Sequence, residues 1–158
     1  MRTVIYPGSF DPFHNGHLDV VHRASRIFDR VVVAVARNES KQPLFSVDER
    51  TRLVRESIHG IPNVEADAFE GLLVDYVVRR QACAVLRGLR AVSDFEFEFQ
   101  LALMNRRLNE RVETLFMTPK DTYTFLSSRM VKEISRLGGD VAPFVPPAVV
   151  ATLKPRRP

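Results

Sequence analysis

Apolar positions along this chain follow two alternating rhythms. Short runs of β-branched and aliphatic residues are each followed by a stretch in which apolar residues recur every three or four positions. The first run, Thr3-Val4-Ile5-Tyr6, stops at Pro7-Gly8. A helix over about 16–28 follows, with Val20, Val21, Ala24, Ile27 and Phe28 on one face. Residues 31–36 are continuously apolar, as in a strand covered on both faces. Ser46-Val47-Asp48-Glu49 is a capping box, serine followed three later by glutamate, and opens a helix to about His59. Residues 64–66 read as a short strand, 72–80 as a helix, and 82–86 as a buried strand ending at Arg87-Gly88.

A second capping box, Ser93-Asp94-Phe95-Glu96, predicts a helix to about Leu108. Its apolar residues form two stripes, Phe95-Phe99-Ala102 and Phe97-Leu101-Met104-Leu108. A helix apolar on two sides must bury both. One side can cover a sheet; the other predicts a subunit interface or a ligand wall. Residues 114–117 make a fifth strand. Ser127 or Ser128 starts a helix ending at Leu137, with Gly138-Gly139 as its cap, and Pro146-Pro147 opens a last short helix. Repeated β-α units of this length imply parallel strands joined by right-handed crossovers. The predicted fold is α/β: a single Rossmann-like, doubly wound domain over 1–158 with a five-stranded parallel sheet.

Length and composition agree with one domain that has a core of its own. The lone cysteine, Cys83, excludes an internal disulfide and reads as a small core residue in a strand. No leader segment is visible at the start, and no apolar run approaches membrane-spanning length, so a soluble cytoplasmic protein is expected. The net charge of +4 falls to +1 without Lys154, Arg156 and Arg157, which lie in a basic tail over about 153–158. That terminal excess, not interleaved with aromatics, argues against a nucleic-acid-binding module.

Candidate chemistry gathers in the loops after the strands, which such a fold brings to one sheet edge. The loop after the first strand holds Gly8, Ser9, Phe10 and then His14-Asn15-Gly16-His17 where a helix begins. Ser40 and Lys41 follow the second strand, Arg87-Gly88-Leu89-Arg90 the fourth, and a segment with Tyr123, Thr124, Ser127 and Ser128 the fifth. Donors, histidines and cations with little acid suit a ligand carrying several phosphates. Gly16 lets a phosphate approach without a Cβ in the way. No Walker A loop or G-x-G-x-x-G fingerprint occurs. His14 and His17 lack H-E-x-x-H spacing and a third ligand, so no protein-held metal is expected. His22 and His59 read as surface residues.

The H-N-G-H motif after Y-P-G-S-F-D-P, then R-G-L-R at 87–90, D-F-E-F-E at 94–98 and S-S-R-M-V-K-E at 127–133, stand in one order and spacing. Together they resemble the bacterial phosphopantetheine adenylyltransferase family of the H-x-G-H nucleotidyltransferase superfamily, over essentially the whole chain. The resemblance implies transfer of AMP from ATP to 4′-phosphopantetheine, giving dephospho-coenzyme A and pyrophosphate, the penultimate step of coenzyme A synthesis. It implies direct attack of the substrate phosphate on the α-phosphorus, a requirement for Mg²⁺, a homohexamer, and feedback binding of coenzyme A.

Residue by residue, the resemblance makes His17 the donor to the α-phosphate, with Lys41 and Arg90 as further catalytic cations. It assigns ATP to Ser9, Phe10, His14, His17, Gly88, Leu89, Arg90, Glu98 and the run Tyr123, Thr124, Phe125, Leu126, Ser127, Ser128, Arg129. It assigns the phosphopantetheine phosphate to Ser9, Lys41 and Arg87, and the pantetheine arm to Leu73, Leu101 and Asn105. Three positions depart from relatives: Ser9 replaces a frequent threonine, Phe97 a tyrosine in some, and Arg129 a third serine in some. The nearest rival is a nucleotidyltransferase of the same superfamily that uses CTP or makes NAD; the R-G-L-R and S-S-x-x-V-K-E pairing argues against it.

Overall fold

Every strand of the sheet runs parallel, as the apolar runs demand. The computed structural model describes residues 1–37, 42–90 and 92–153, with 92–94 described for their backbone alone. Elements follow in the order β1 (Thr3–Gly8), α1 (Asn15–Ser25), β2 (Arg30–Ala36), α2 (Val47–Ser57), β3 (Val64–Phe69), α3 (Leu73–Arg79), β4 (Ala84–Gly88), α4 (Val92–Leu108), β5 (Glu113–Met117), α5 (Ser128–Arg136) and α6 (Pro147–Leu153). A single 3-10 turn at Asp121–Tyr123 lies between β5 and α5. The sheet order is β3-β2-β1-β4-β5, all neighbours parallel. From β1 the chain winds outward to β2 and β3, then returns to place β4 on the other side of β1. Crossovers diverge there, and a crevice opens at the carboxyl ends of β1 and β4.

β2 shows why the sheet is central. Val31, Val33 and Val35 join one core with Val20, Val21 and Ala24 of α1 and Val54 of α2. Val32 and Ala34 join a second core with Val74, Tyr76 and Val77 of α3. Alternate side chains of a strand point to opposite faces, so a strand between two helical layers must be apolar throughout. A third core, built around Phe45, Leu53, Val131, Val145 and Val149, docks α5 and α6 beside α2.

Several expectations are refined. β3 runs to Phe69, not Ala66, because on this edge strand Glu65 and Asp67 alternate with apolar residues and interrupt the run. α1 ends at Ser25, and Ile27, expected on its buried face, is exposed. α4 begins at Val92, so Ser93 sits inside its first turn and not at its cap; the Ser93 side chain is outside the described residues. Cys83 is not a core residue. It precedes β4, is exposed, and donates its thiol to the Thr3 carbonyl oxygen at 3.2 Å. The tail beyond residue 153 lies outside the described residues. α4 keeps both its apolar stripes largely open: Phe95, Phe97, Phe99, Met104 and Leu108 are all exposed, as is Leu115 on the neighbouring edge strand β5. No described helix is long and apolar enough to cross a membrane.

Candidate active site

The loop from β1 to α1 is built around two histidine rings. His14 is the N-cap of α1, and its Nδ1 accepts from Gly16 N at 3.1 Å and His17 N at 3.3 Å. In return His17 Nδ1 accepts from His14 N at 3.1 Å. This is a capping box made of two histidines, and it satisfies backbone donors that a helix start leaves open. Glycine at 16 is required sterically: a Cβ there would stand 2.9 Å from His14 Cε1. The rings stack at a centroid distance of 3.6 Å, and His17 also packs on Phe13 at 5.4 Å and edge-on to Phe10 at 4.9 Å. Since each Nδ1 is an acceptor, a neutral ring carries its proton on Nε2 and presents a donor there.

Electrostatics favour that neutral form. Burial, with a contribution from Arg90, pulls His14 down to about 3. Burial also holds His17 well below the ordinary histidine range, aided by His14, Arg90 and Arg87. Both rings therefore act at neutral pH as uncharged donors and not as cations. A stability consequence follows. An unfolded histidine takes its proton near pH 6.5, whereas His14 in the fold takes it only near 3. Between those values the unfolded chain binds more protons, so stability falls as pH drops below about 6.5. The slope for one such group is about 1.4 kcal/mol per pH unit. Denaturant midpoints measured from pH 7 to pH 5 should fall more steeply for the parent than for His14→Asn, whose amide can still cap the helix. Equal slopes would place the titration elsewhere.

Arg87, near the end of β4, forks onto Glu98 of α4, with Nε to Oε2 at 2.8 Å and a terminal nitrogen to Oε1 at 2.6 Å. Another of its nitrogens donates to the Pro7 carbonyl at 2.8 Å, tying β4 to β1 across the switch point. Arg90 donates to the Leu126 carbonyl at 2.7 Å. Ser127 caps α5 by accepting from Met130 N at 3.1 Å, and the Ser128 hydroxyl donates to the Pro12 carbonyl at 2.8 Å. The segment after β5 is thus pinned beside the histidine loop.

Among the cavities along this edge of the described residues, two gather the residues named above. One, of about 450 Å³, is lined by Ser9, Phe10, His14, His17, Gly88, Arg90, Glu98, Tyr123, Ser127, Ser128 and Arg129 among others. The second, of about 570 Å³, is lined by Ser9, Leu73, Arg87, Leu101 and Asn105, with Arg37, Phe69 and Gly71. Both sizes suit small-molecule sites. They meet at a common wall of Pro7, Gly8, Ser9, Arg87, Phe97 and Glu98.

Most residues singled out from sequence therefore converge on these two cavities, with Ser9, Arg87 and Glu98 lining both. Leu89, Thr124, Phe125 and Leu126 do not line either cavity. Leu89 N donates to the Met117 carbonyl, Phe125 is 83% exposed, and Leu126 is buried in the third core. Ser40 and Lys41 lie outside the described residues. Arg37 and Phe69 were not anticipated. Each sits at the carboxyl end of a strand, which is the signal that could have found them.

Comparison with known proteins closes the question of kinship. A family model described as Cytidylyltransferase-like matches residues 5–134. Phosphopantetheine adenylyltransferase of Thiobacillus denitrificans is 56% identical over 153 residues, which is 97% of this chain and 96% of the relative. The enzyme of the same name from Thioalkalivibrio sulfidiphilus is 57% identical over 152 residues, 96% of each. The chain belongs to the phosphopantetheine adenylyltransferase family. Its fold extends further: a Vibrio parahaemolyticus structure described as a nicotinate-nucleotide adenylyltransferase matches with TM-score 0.72 at 19% identity, over 98% of this chain and 99% of that one. At that identity the likeness concerns the fold alone. In this phosphopantetheine adenylyltransferase family member, the H-N-G-H histidines and the R-G-L-R arginines face one another across the switch point.

Proposed function

We propose that this protein is an adenylyltransferase that moves AMP from ATP to 4′-phosphopantetheine, yielding dephospho-coenzyme A and pyrophosphate in coenzyme A synthesis. The observation that carries this reading beyond kinship is the shared wall of the two cavities. The smaller has histidine donors, serines and arginines suited to a triphosphate. The larger runs from Arg87 past Leu73, Leu101 and Asn105, an extended, mixed apolar and polar surface suited to a pantetheine arm. A phosphate held at Ser9 and Arg87 would face the α-phosphorus of a nucleotide held at His17.

In the reaction, an oxygen of the acceptor phosphate forms a bond to the α-phosphorus. The bond to the bridging oxygen breaks, and pyrophosphate leaves with the electron pair. No protein nucleophile is needed, and the chain contributes positioning and charge stabilisation. His17 offers Nε2–H to the α-phosphate as charge builds in the transition state. Arg90 holds the outgoing phosphates, which gain charge, and Lys41 with Arg87 holds the acceptor phosphate. Mg²⁺ belongs to this reading as a companion of the ATP phosphates. Among the described residues no cluster of three or more histidine, cysteine or carboxylate side chains could form a cage. Glu98 is committed to Arg87, and Asp11 to Leu44 N, Phe45 N and Lys132. The ion would be held chiefly by the ATP phosphate oxygens and by water, and would supply neutralisation of the charge that builds on the leaving phosphates. We place the reaction in the cytoplasm, with coenzyme A as a feedback ligand of the same cavities.

A homohexamer is part of the proposal, supported by the two open apolar stripes of α4 beside the exposed edge of β5. Light scattering should give a mass near six times 18.0 kDa, and Met104→Glu should lower it; a monomer in both would contradict the assembly. The reaction itself is tested in reverse. Dephospho-coenzyme A with pyrophosphate should yield ATP, read by luciferase, and absence of ATP would overturn the assignment.

A further inference from the structure

Arg50 lies in the second turn of α2, only 4% exposed, and the reaction described above does not use it. Its guanidinium reaches three main-chain carbonyls. Nε donates to Phe45 O at 3.1 Å, and one terminal nitrogen donates to Ser9 O at 2.8 Å and Ala36 O at 3.1 Å. These oxygens belong to the segment before α2, the loop after β1, and the last residue of β2. One side chain therefore joins two strand ends at the functional edge to the helix behind them.

The bond to Ser9 matters most. Its oxygen belongs to the peptide that precedes Phe10, and Phe10 has φ of +49°, a left-handed conformation that bulky residues rarely hold. Such a conformation persists only where its surroundings fix it. Arg50 grips the peptide plane whose orientation that φ sets. Ser9 itself borders both cavities. Asp11 strengthens the same anchor: it accepts from Leu44 N at 2.8 Å, Phe45 N at 3.0 Å and Lys132 Nζ of α5 at 3.3 Å, so the Phe45 carbonyl is itself held in place. A planar five-donor fork can serve several fixed acceptors together; a lysine ammonium on its flexible stem cannot replace it.

We propose that Arg50 is a positioning residue for adenylyl transfer: it holds the Ser9–Phe10 peptide, and so the junction of the two cavities, in the geometry the reaction needs. The claim rests on the function proposed above, but its test does not depend on turnover alone. In Arg50→Lys, hydrogen exchange of the segment 7–13 should quicken at least tenfold relative to the parent, while segments of β4 and β5 exchange as before. Turnover per folded molecule should fall roughly 10- to 100-fold, as a displacement of about 1 Å can cause. Affinity for a non-hydrolysable ATP analogue should stay within threefold. Arg50→Gln, which removes the buried charge, is measured beside it, so a misfolded lysine variant leaves the test intact. Unchanged exchange at 7–13, a uniform increase over the whole chain, or turnover per folded molecule within threefold of the parent would each overturn the proposal. If the parent shows no transfer, the functional reading fails, and the exchange result alone decides whether Arg50 holds the loop.

Discussion

His17→Ala should lower turnover by roughly two to three orders of magnitude, the usual cost of one preorganised transition-state donor, with ATP affinity changed less than threefold. The reason is the way the ring is held. Nδ1 is occupied by His14 N at 3.1 Å, and the ring is stacked on His14 and Phe13 and braced edge-on by Phe10. The imidazole has little freedom left to lose when a substrate arrives, so its Nε2–H contributes where charge develops without reorganisation. Ground-state binding of ATP draws on many other groups of the same cavity and should barely change. Steady-state kinetics beside equilibrium binding of an ATP analogue would separate the two. Near-normal turnover would remove His17 from the mechanism.

Arg87→Ala should raise the KM for 4′-phosphopantetheine at least tenfold and that for ATP much less. It should also destabilise the fold by about 2–3 kcal/mol. Removing one partner of a buried pair leaves the other charge uncompensated, at a cost of about 3–5 kcal/mol when both are fully buried. The Glu98 side chain is 10% exposed but Arg87 is 28% exposed, so water offsets part of that cost. Arg87→Ala with Glu98→Gln should therefore recover stability without recovering acceptor affinity. Arg87→Lys should fail on both counts, because it cannot form the fork. If ATP binding suffered more than acceptor binding, the two phosphate sites would be assigned backwards.

Much of this was legible in the chain. The apolar runs at β1, β2 and β4 are continuous because those strands are covered on both faces, so they stand out. The pattern of β3 ends three residues short because an edge strand mixes Glu65 and Asp67 into it, and Phe69 falls outside the predicted strand with them. The H-N-G-H motif and its strand-to-helix setting located the histidines. Their mutual capping was not legible, because histidine is not among the residues whose short oxygen-bearing side chains mark an N-cap. The protonation state of His17 depends on burial by Phe10 and Phe13 and on arginines distant in sequence, which periodicity does not report. Cys83 sits just before β4, and a shift of two residues in the strand's start took it from core to surface. Arg50 carried a signal that could have been read: it lies on the same helical stripe as Val47 and Val54, and an arginine among buried positions needs partners.

The most direct test of the account is pyrophosphate release with ATP, Mg²⁺ and 4′-phosphopantetheine, run beside ATP with nicotinamide mononucleotide and CTP with glycerol 3-phosphate. The account predicts release with the first pair alone. Release with either of the others, and none with phosphopantetheine, would leave the fold and the histidine site intact and contradict the substrate.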